Sequence, residues 1–438
     1  MEVFMVKIAV VSLGCNKNLV DSEMILGLLV KRGYQIVPVE EEADIVIINT
    51  CAFINDAKQE SINKIIEVGK LKDLECKAII VTGCLANRYE KEIKEALPEV
   101  DCIAKINDYE TIINFIDEKM GTKDISSVRS IKFGERIRST YPHVSYVKIA
   151  DGCDNRCTYC VIPYLRGAHK SREIGDVLEE VNTITEEGVT EVILTAQDTT
   201  YYGLDNYKER KLASLISEVV KNENVHWIIF QYAYPEGITD ELLEVIKNNK
   251  KVCKYFDIPI QHCSDEVLKR MGRHTNKKEI LRIINTIRRD IPDAVIRTSL
   301  IVGFPGETEE QFDELLEFVK EVKFDRLGVF TYSKEEGTPA AKLKDQIPER
   351  IKKNRQGIIM SEQQKISFEK NKEKIGKEIE ILVESKLPDG TFCGRTYQDA
   401  PEIDGLAFIN SERELVLGEY YMCRVVEAKE YDVVVEVI

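Results

Sequence analysis

Three cysteines fall within eight residues in Asp151-Gly152-Cys153-Asp154-Asn155-Arg156-Cys157-Thr158-Tyr159-Cys160, with the spacing C-x3-C-x2-C. Three thiolates in one loop can hold three irons of a cubane iron–sulfur cluster. The fourth iron then has no protein ligand nearby. An open coordination position lets a metal bind and activate a molecule instead of only holding the fold. Structural zinc usually takes four protein ligands, commonly as two separated pairs, and this spacing fits that poorly, although thiolate softness alone would accept either metal.

A second set is scattered in sequence but alike in context. Cys15, Cys51 and Cys84 each come just after an apolar run, in Ser12-Leu13-Gly14-Cys15, Ile48-Asn49-Thr50-Cys51 and Thr82-Gly83-Cys84. In an open α/β sheet such positions gather at the carboxyl edges of the strands, where ligands bind. The fold would bring three thiolates together and give a second cubane with one free iron. Lone cysteines are usually small buried hydrophobes, but three equivalent placements argue against three unrelated core thiols. Cys76, Cys102, Cys253, Cys263, Cys393 and Cys423 lack any such pattern and read as structural. His262, beside Cys263, reads as a polar cavity or core histidine.

The elements that must position these residues follow from periodicity. Apolar runs at Lys7–Leu13, Asp44–Thr50, Ala78–Gly83 and Cys102–Ala104 alternate with helical patterns, predicting an N-terminal doubly wound α/β domain over 1–120. Residues 121–141 lose the period and read as a linker. Six strand–helix repeats follow, with strands near Val144–Ala150, Glu191–Ala196, Val225–Gln231, Tyr255–Ile260, Val295–Val302 and Arg326–Tyr332. Six are fewer than the eight of a closed barrel, so residues 142–370 read as a central partial (β/α)6 barrel. The Cys153 loop follows its first strand, at the carboxyl end where barrel active sites lie. Short β segments punctuated by glycine over 371–438 predict a C-terminal small β-barrel of the OB-like kind.

Hydrophobic residues are 43% and charged residues 31% of the 438, as in globular proteins generally. No apolar run approaches membrane-spanning length, and Met1–Lys7 lacks the features of a secretion signal. A cytoplasmic protein is expected. In that reducing compartment clustered thiols, among twelve in all, point to metal or catalysis and not to disulfides. The net charge of −15 argues against non-specific nucleic-acid binding.

The C-x3-C-x2-C loop, with aromatic Tyr159 before the last cysteine, resembles the signature of the radical S-adenosylmethionine superfamily. Ile301-Val302-Gly303-Phe304-Pro305-Gly306-Glu307-Thr308 agrees, at the end of a strand and opening a helix. Thr308 and Gln311 make a capping-box pattern, and Gly303 and Gly306 allow close backbone approach. The resemblance implies a radical-SAM barrel with a 4Fe–4S cluster on Cys153, Cys157 and Cys160. S-adenosylmethionine would bind the free iron and lie near Tyr159, Gln197, Asp198, Gly303 and Pro305, and its reductive cleavage would give an adenosyl radical. With an auxiliary 4Fe–4S cluster on Cys15, Cys51 and Cys84 and a terminal β module of the TRAM type, the whole chain resembles the methylthiotransferases, which replace C–H by C–S–CH3. That resemblance implies a reduced flavodoxin or ferredoxin-type electron donor and no membrane partner.

Two motifs resemble the branch of the family that acts on a ribosomal protein. They are Ser12-Leu13-Gly14-Cys15-Asn16-Lys17-Asn18-Leu19-Val20-Asp21-Ser22-Glu23, where Asn16 departs from a common proline, and Gly394-Arg395-Thr396-Tyr397-Gln398-Asp399-Ala400-Pro401-Glu402-Ile403-Asp404-Gly405. They imply transfer to the β-carbon of an aspartate in small-subunit ribosomal protein S twelve. Charge agrees independently. Residues 371–438 hold five Lys and three Arg against fifteen Asp plus Glu, a net −7, which suits a basic protein better than RNA. The alternatives are a tRNA adenosine methylthiotransferase, the one case with a nucleic-acid partner, and a non-catalytic ribosome- or RNA-binding protein with structural iron–sulfur centres. Anaerobically prepared protein is expected to hold about eight irons, falling to about four when Cys15, Cys51 and Cys84 are all changed to alanine, as an iron and sulfide assay would show.

Overall fold

The computed structural model describes residues 6–122 and 127–438. The sequence expectations for Met1–Met5 and for part of the linker, residues 123–126, lie outside the described residues. The first domain is a parallel sheet of β1 (Lys7–Ser12), β2 (Gln35–Ile36), β3 (Ile45–Thr50), β4 (Ala78–Gly83) and β5 (Cys102–Ile103), in the order β2-β1-β3-β4-β5. Strands β3 and β4 are buried along their whole length, which is why they read as unbroken apolar runs. Two-residue β2 carried no periodicity and was not expected.

The second domain begins with β6 (Val144–Lys148). A short antiparallel pair, β7 (Ala150–Asp151) with β8 (Lys170–Ser171), follows it and closes the cysteine loop like a clasp. Strands β9 (Glu191–Thr195), β10 (Trp227–Phe230), β11 (Tyr255–Asp257), β12 (Val295–Val302) and β13 (Arg326–Thr331) complete two parallel sheets, β10-β9-β6 and β11-β12-β13. These join through an Ile228–Val252 bridge and the Ala233 N–H donating to Asp257 O at 2.8 Å. Among the described residues β6 and β13 do not pair, so the barrel of six main strands is open.

The third domain is a closed barrel, β14 (Glu378–Lys386), β15 (Phe392–Arg395), β16 (Ala407–Asn410), β17 (Tyr420–Ala428) and β18 (Val433–Val437), in the order β14-β15-β16-β18-β17. Strand β15 was not expected, because Cys393-Gly394 breaks the β pattern. A side chain at 394 would meet the Leu382 carbonyl at 2.2 Å, so glycine permits that pairing.

One apolar cluster explains how the three parts assemble. Tyr146, Ile193, Ile229 and Tyr255 fill the partial barrel. Leu19 and Val20 of the helix Asn16–Lys31 join the same cluster, as do Leu382, Ala400, Tyr397 and Tyr420 of the third domain. The third domain meets the amino ends of the barrel strands. Arg395 donates to Glu191 at the start of β9 at 2.6 Å, to Glu384 at 2.7 Å and to the Asp399 carbonyl at 2.8 Å. Arg326 at the start of β13 pairs with Asp399, and Tyr255 at the start of β11 donates to Asp404 at 2.6 Å. The first domain covers the opposite rim.

The stretch expected as a linker is no free tether. Arg136 is buried and donates to Glu23 of the first domain at 2.9 Å and to Ser145 and the Tyr146 carbonyl of the second at 2.8 and 2.6 Å. Arg395→Ala would leave Glu191 and Glu384 buried without their counter-charge, at a cost of about 3–5 kcal/mol. Calorimetry should show the first unfolding transition moving to lower temperature, and limited proteolysis should cut ahead of β14.

Candidate functional site

The first cysteine trio forms where three parallel strands end. Cys15 caps the helix Asn16–Lys31 with extended backbone, and its side chain makes no capping hydrogen bond. Cys51 follows β3, its N–H donating to Ser61 Oγ at 3.0 Å. Cys84 opens the helix Cys84–Ala96. Asn18 ties the strand ends together, its amide donating to the carbonyls of Leu13 at 2.8 Å and Thr50 at 3.0 Å. Gly14 sits at φ +91°, and a Cβ there would lie 2.7 Å from Cys51 Cβ and 2.8 Å from its Sγ. Glycine is therefore what allows the Cys15 turn to pass the Cys51 thiol. The three sulfurs sense one another: burial pushes the Cys84 thiol up to about 12, against Arg166 and together with the charges of Cys15 and Cys51. Burial and Cys15 also raise Cys51.

The second trio lies in the loop clasped by β7 and β8. Gly152, at φ +77°, has no Cβ where one would meet the Ala168 carbonyl at 2.1 Å, and the Cys153 N–H donates to Gly167 O at 3.2 Å. The far side is bolted down by the Thr158 N–H to Met271 O at 2.9 Å and Thr158 Oγ1 to Arg270 O at 2.8 Å. Burial pushes the Cys153 thiol up to about 11 and the Cys160 thiol higher still, with Cys157 adding to both. Tyr234 and Arg273 approach Cys157, at 3.7 and 4.0 Å.

The thiols of each trio thus stand near one another, and all twelve cysteines are free of disulfides. Among the described residues no three His, Cys, Asp or Glu side chains converge tightly enough to share one ion. A cubane asks for less convergence than that, because each thiolate takes a different iron. The raised thiols of Cys51, Cys84, Cys153 and Cys160 keep their protons until a metal's charge displaces them, so cluster assembly releases protons. The donor sets fit iron–sulfur clusters better than a mononuclear zinc.

A buried charge network joins the trios. Arg166 donates to Asn18 at 2.8 Å and Asp21 at 2.9 Å in the first domain, and to Asp151 at 3.0 Å in the second. Lys148 pairs with Asp21 and, at 3.2 Å, with Asp151. Burial pushes the Asp151 carboxyl up, but Lys148 and Arg166 outweigh it and hold it well below the carboxylate range.

Of the residues expected near S-adenosylmethionine, Tyr159 is half-buried against Val267, Met271, Phe304, Tyr332 and Ala340. Gln197 donates to Asp151 at 3.1 Å, while its buried Oε1 has no hydrogen-bond partner. Asp198 accepts from Asn155 at 2.8 Å and from Thr200 N–H at 3.0 Å. It holds the cysteine loop and the turn after β9. At Gly303 a Cβ would strike Lys352 Cγ at 2.3 Å, so its missing side chain makes room for that lysine. Glu307 accepts from the N–H groups of Gly303 and Phe304 at 2.7 and 3.1 Å and is held by Arg355 at 2.8 Å, which fixes the loop carrying Pro305. The Thr308–Gln311 capping box is present. His262 is fully buried, accepts from Ser264 N–H at 3.0 Å and is pushed down by burial to about 3, a neutral core histidine. The six cysteines read as structural are all buried. Sequence reasoning missed Lys148 and Arg166, which carry no motif of their own and gain meaning from the Asp21 carboxylate across the domain boundary.

Comparison with known proteins gives three family matches. Residues 7–105 match the uncharacterized protein family UPF0004, 147–319 the radical SAM superfamily and 375–438 the TRAM domain. The chain is 48% identical to the ribosomal protein uS12 methylthiotransferase RimO of Lachnoclostridium phytofermentans, over 98% of this chain and 99% of that one. The proteins of the same name from Alkaliphilus oremlandii and Clostridioides difficile are 49% and 47% identical, over 96% and 99% of this chain and 97% and 99% of theirs. Among solved structures, the radical S-adenosylmethionine methyltransferase TsrM of Kitasatospora setae aligns with a TM-score of 0.54 at 12% identity over 77% of each chain. The cobalamin-dependent radical enzyme OxsB aligns at 0.51 and 14% identity, over 82% of this chain and 56% of that one. At those identities the likeness is one of fold. Gly14→Ala should leave a folded protein that holds about half the wild-type iron, because it displaces the Cys51 thiol and leaves the Cys153 loop untouched. Anaerobic iron and sulfide counts beside circular dichroism would show this.

Proposed function

The chain belongs to the radical S-adenosylmethionine methylthiotransferase family, and from that premise we propose that it transfers a methylthio group to the β-carbon of an aspartate in ribosomal protein uS12. The observation that carries this reading is near-full-length identity of about half to proteins of that name, joined to two cysteine trios in one interdomain frame. When bound, two 4Fe–4S clusters and S-adenosylmethionine supply reductive carbon–sulfur cleavage, removal of hydrogen from an unactivated carbon, and a methylated sulfur.

In this reading the domains, 1–120, 142–370 and 371–438, divide the work. Cys153, Cys157 and Cys160 hold the first cluster, and Cys15, Cys51 and Cys84 the auxiliary one. Gln197 offers its unpartnered Oε1 to S-adenosylmethionine. Tyr159, Gly303 and Pro305 shape the adjoining wall, and Asp198 steadies it through Asn155. Arg166 and Lys148 fix the spacing between the trios. The electron donor is a reduced flavodoxin or ferredoxin-type protein and the setting is the cytoplasm. Among the described residues no helix is long and apolar enough to cross a membrane.

The acidic third domain supports a basic protein substrate in one respect only. It sits on the rim away from the cysteines, and Glu384, Asp399 and Asp404 are spent on Arg395, Arg326 and Tyr255. Its remaining charge acts by long-range steering, which salt screens.

Mass spectrometry of uS12 from a strain lacking the gene should show the methylthio group gone from one aspartate and restored by the wild-type copy, with digested tRNA unchanged. Loss of a methylthio-adenosine with uS12 unaltered would instead establish the tRNA reading. Purified reduced protein should cleave S-adenosylmethionine and Cys157→Ala should not, an outcome that a binding protein with structural clusters would not give.

A further inference from the structure

Lys17 is an ammonium without a carboxylate partner at the face where the two domains meet. Its side chain belongs to a residue 6% exposed, and its Nζ lies 3.5 Å from the centroid of the Tyr232 ring. Among the described residues no Asp or Glu pairs with it. Asp21, one turn along the same helix, is taken by Lys148 and Arg166, and those cations share Asp151. That network balances two charges against two, so Lys17 is the surplus. The stem of Lys17 is buried while its Nζ stays open at the domain face, with an aromatic ring as its one neighbouring partner, and an incoming anion would supply the counter-charge that the described residues do not.

The surroundings are built to hold it there. Lys17 follows Cys15 by two residues. Its neighbour Asn16 donates to Gln231 at 2.6 Å, at the carboxyl end of β10. Tyr232 has φ +62°, a conformation that costs energy for an aromatic residue. It is kept by its N–H donating to Asp257 Oδ2 at 3.0 Å and its carbonyl accepting from the Thr199 N–H at 3.1 Å. The strained backbone sets the ring beneath the ammonium, between the Cys15 turn and the strand ends that lead to Gln197.

We propose that Lys17 is a specificity-determining residue that binds the side-chain carboxylate of the substrate aspartate, with Tyr232 as the floor of that subsite. This rests on the uS12 reading. The reacting β-carbon is bonded directly to the carboxyl carbon, so anchoring the carboxylate also places the carbon from which hydrogen is taken. A neutral side chain of the same shape would cover the Lys17 ammonium without offering it a counter-charge.

The test is a cycle of binding measurements on anaerobically prepared holoenzyme. It uses uS12 carrying the aspartate identified by mass spectrometry, and uS12 with that residue changed Asp→Asn. Wild type should bind the aspartate form about tenfold or more tightly than the asparagine form. Lys17→Met should lose that ratio by losing affinity for the aspartate form alone, Lys17→Arg should keep part of it, and all three proteins should hold the same iron. An unchanged ratio in Lys17→Met overturns the proposal. So does a fall in iron content, which would make Lys17 a partner of the Cys15 cluster instead. If wild type neither binds nor modifies uS12, the parent reading has failed and this inference falls with it.

Discussion

Asp21, Lys148, Asp151 and Arg166 form a closed set of two carboxylates and two cations, buried where the first domain meets the second. Burial on this scale is poor evidence for stability, since desolvation offsets most of the Coulomb gain. It is strong evidence for geometry, because charges in a low-dielectric site tolerate little displacement before one is left unpaired. Asp21 lies on the helix that Cys15 caps, and Asp151 lies two residues before Cys153. Arg166 closes the Cys153 loop and also bears on the Cys84 and Cys51 thiols. Each trio is therefore referenced to the other through a few short bonds instead of through the length of the barrel.

The rest of the molecule supports that joint. Glu335, almost fully buried, receives Lys58 and Arg88 of the first domain, each at 2.8 Å. Asn87 donates to Leu165 O at 2.8 Å, and Arg136 locks the connecting stretch to both sides. The third domain closes the opposite rim, filling the barrel from below with Leu382, Ala400 and Tyr420. An open barrel of six strands has an incomplete wall and an unfilled end, and neighbouring domains supply what the missing strands would have supplied.

Much of the fold was legible because buried parallel strands read as apolar runs of the right length. The runs Ala78–Gly83 and Val295–Val302 coincide with observed strands, and the shift to short glycine-punctuated segments after 371 marked the change of architecture. What stayed hidden is local and aperiodic. Strands β2, β7 and β8 have two residues each, too few to carry a period, and β15 contains a glycine that a pattern reading takes as a break. Gly303 was legible as a point of close approach, and only the fold shows Lys352 packed against the place of its missing side chain.

The sequence by itself determined the chemistry on offer. The spacing C-x3-C-x2-C, three cysteines after three predicted strands, and the family likeness of the whole chain are properties of residue order. A strand–helix alternation is enough to send successive strand ends to one edge. Only the tertiary structure decided which charges answer one another. Lys148 and Arg166 are ordinary residues in the chain and become a junction when Asp21 arrives from another domain. Lys17 reads as one more surface lysine until folding buries it over Tyr232. Pairing across more than a hundred residues depends on distances in space, and residue order sets those only through the completed fold.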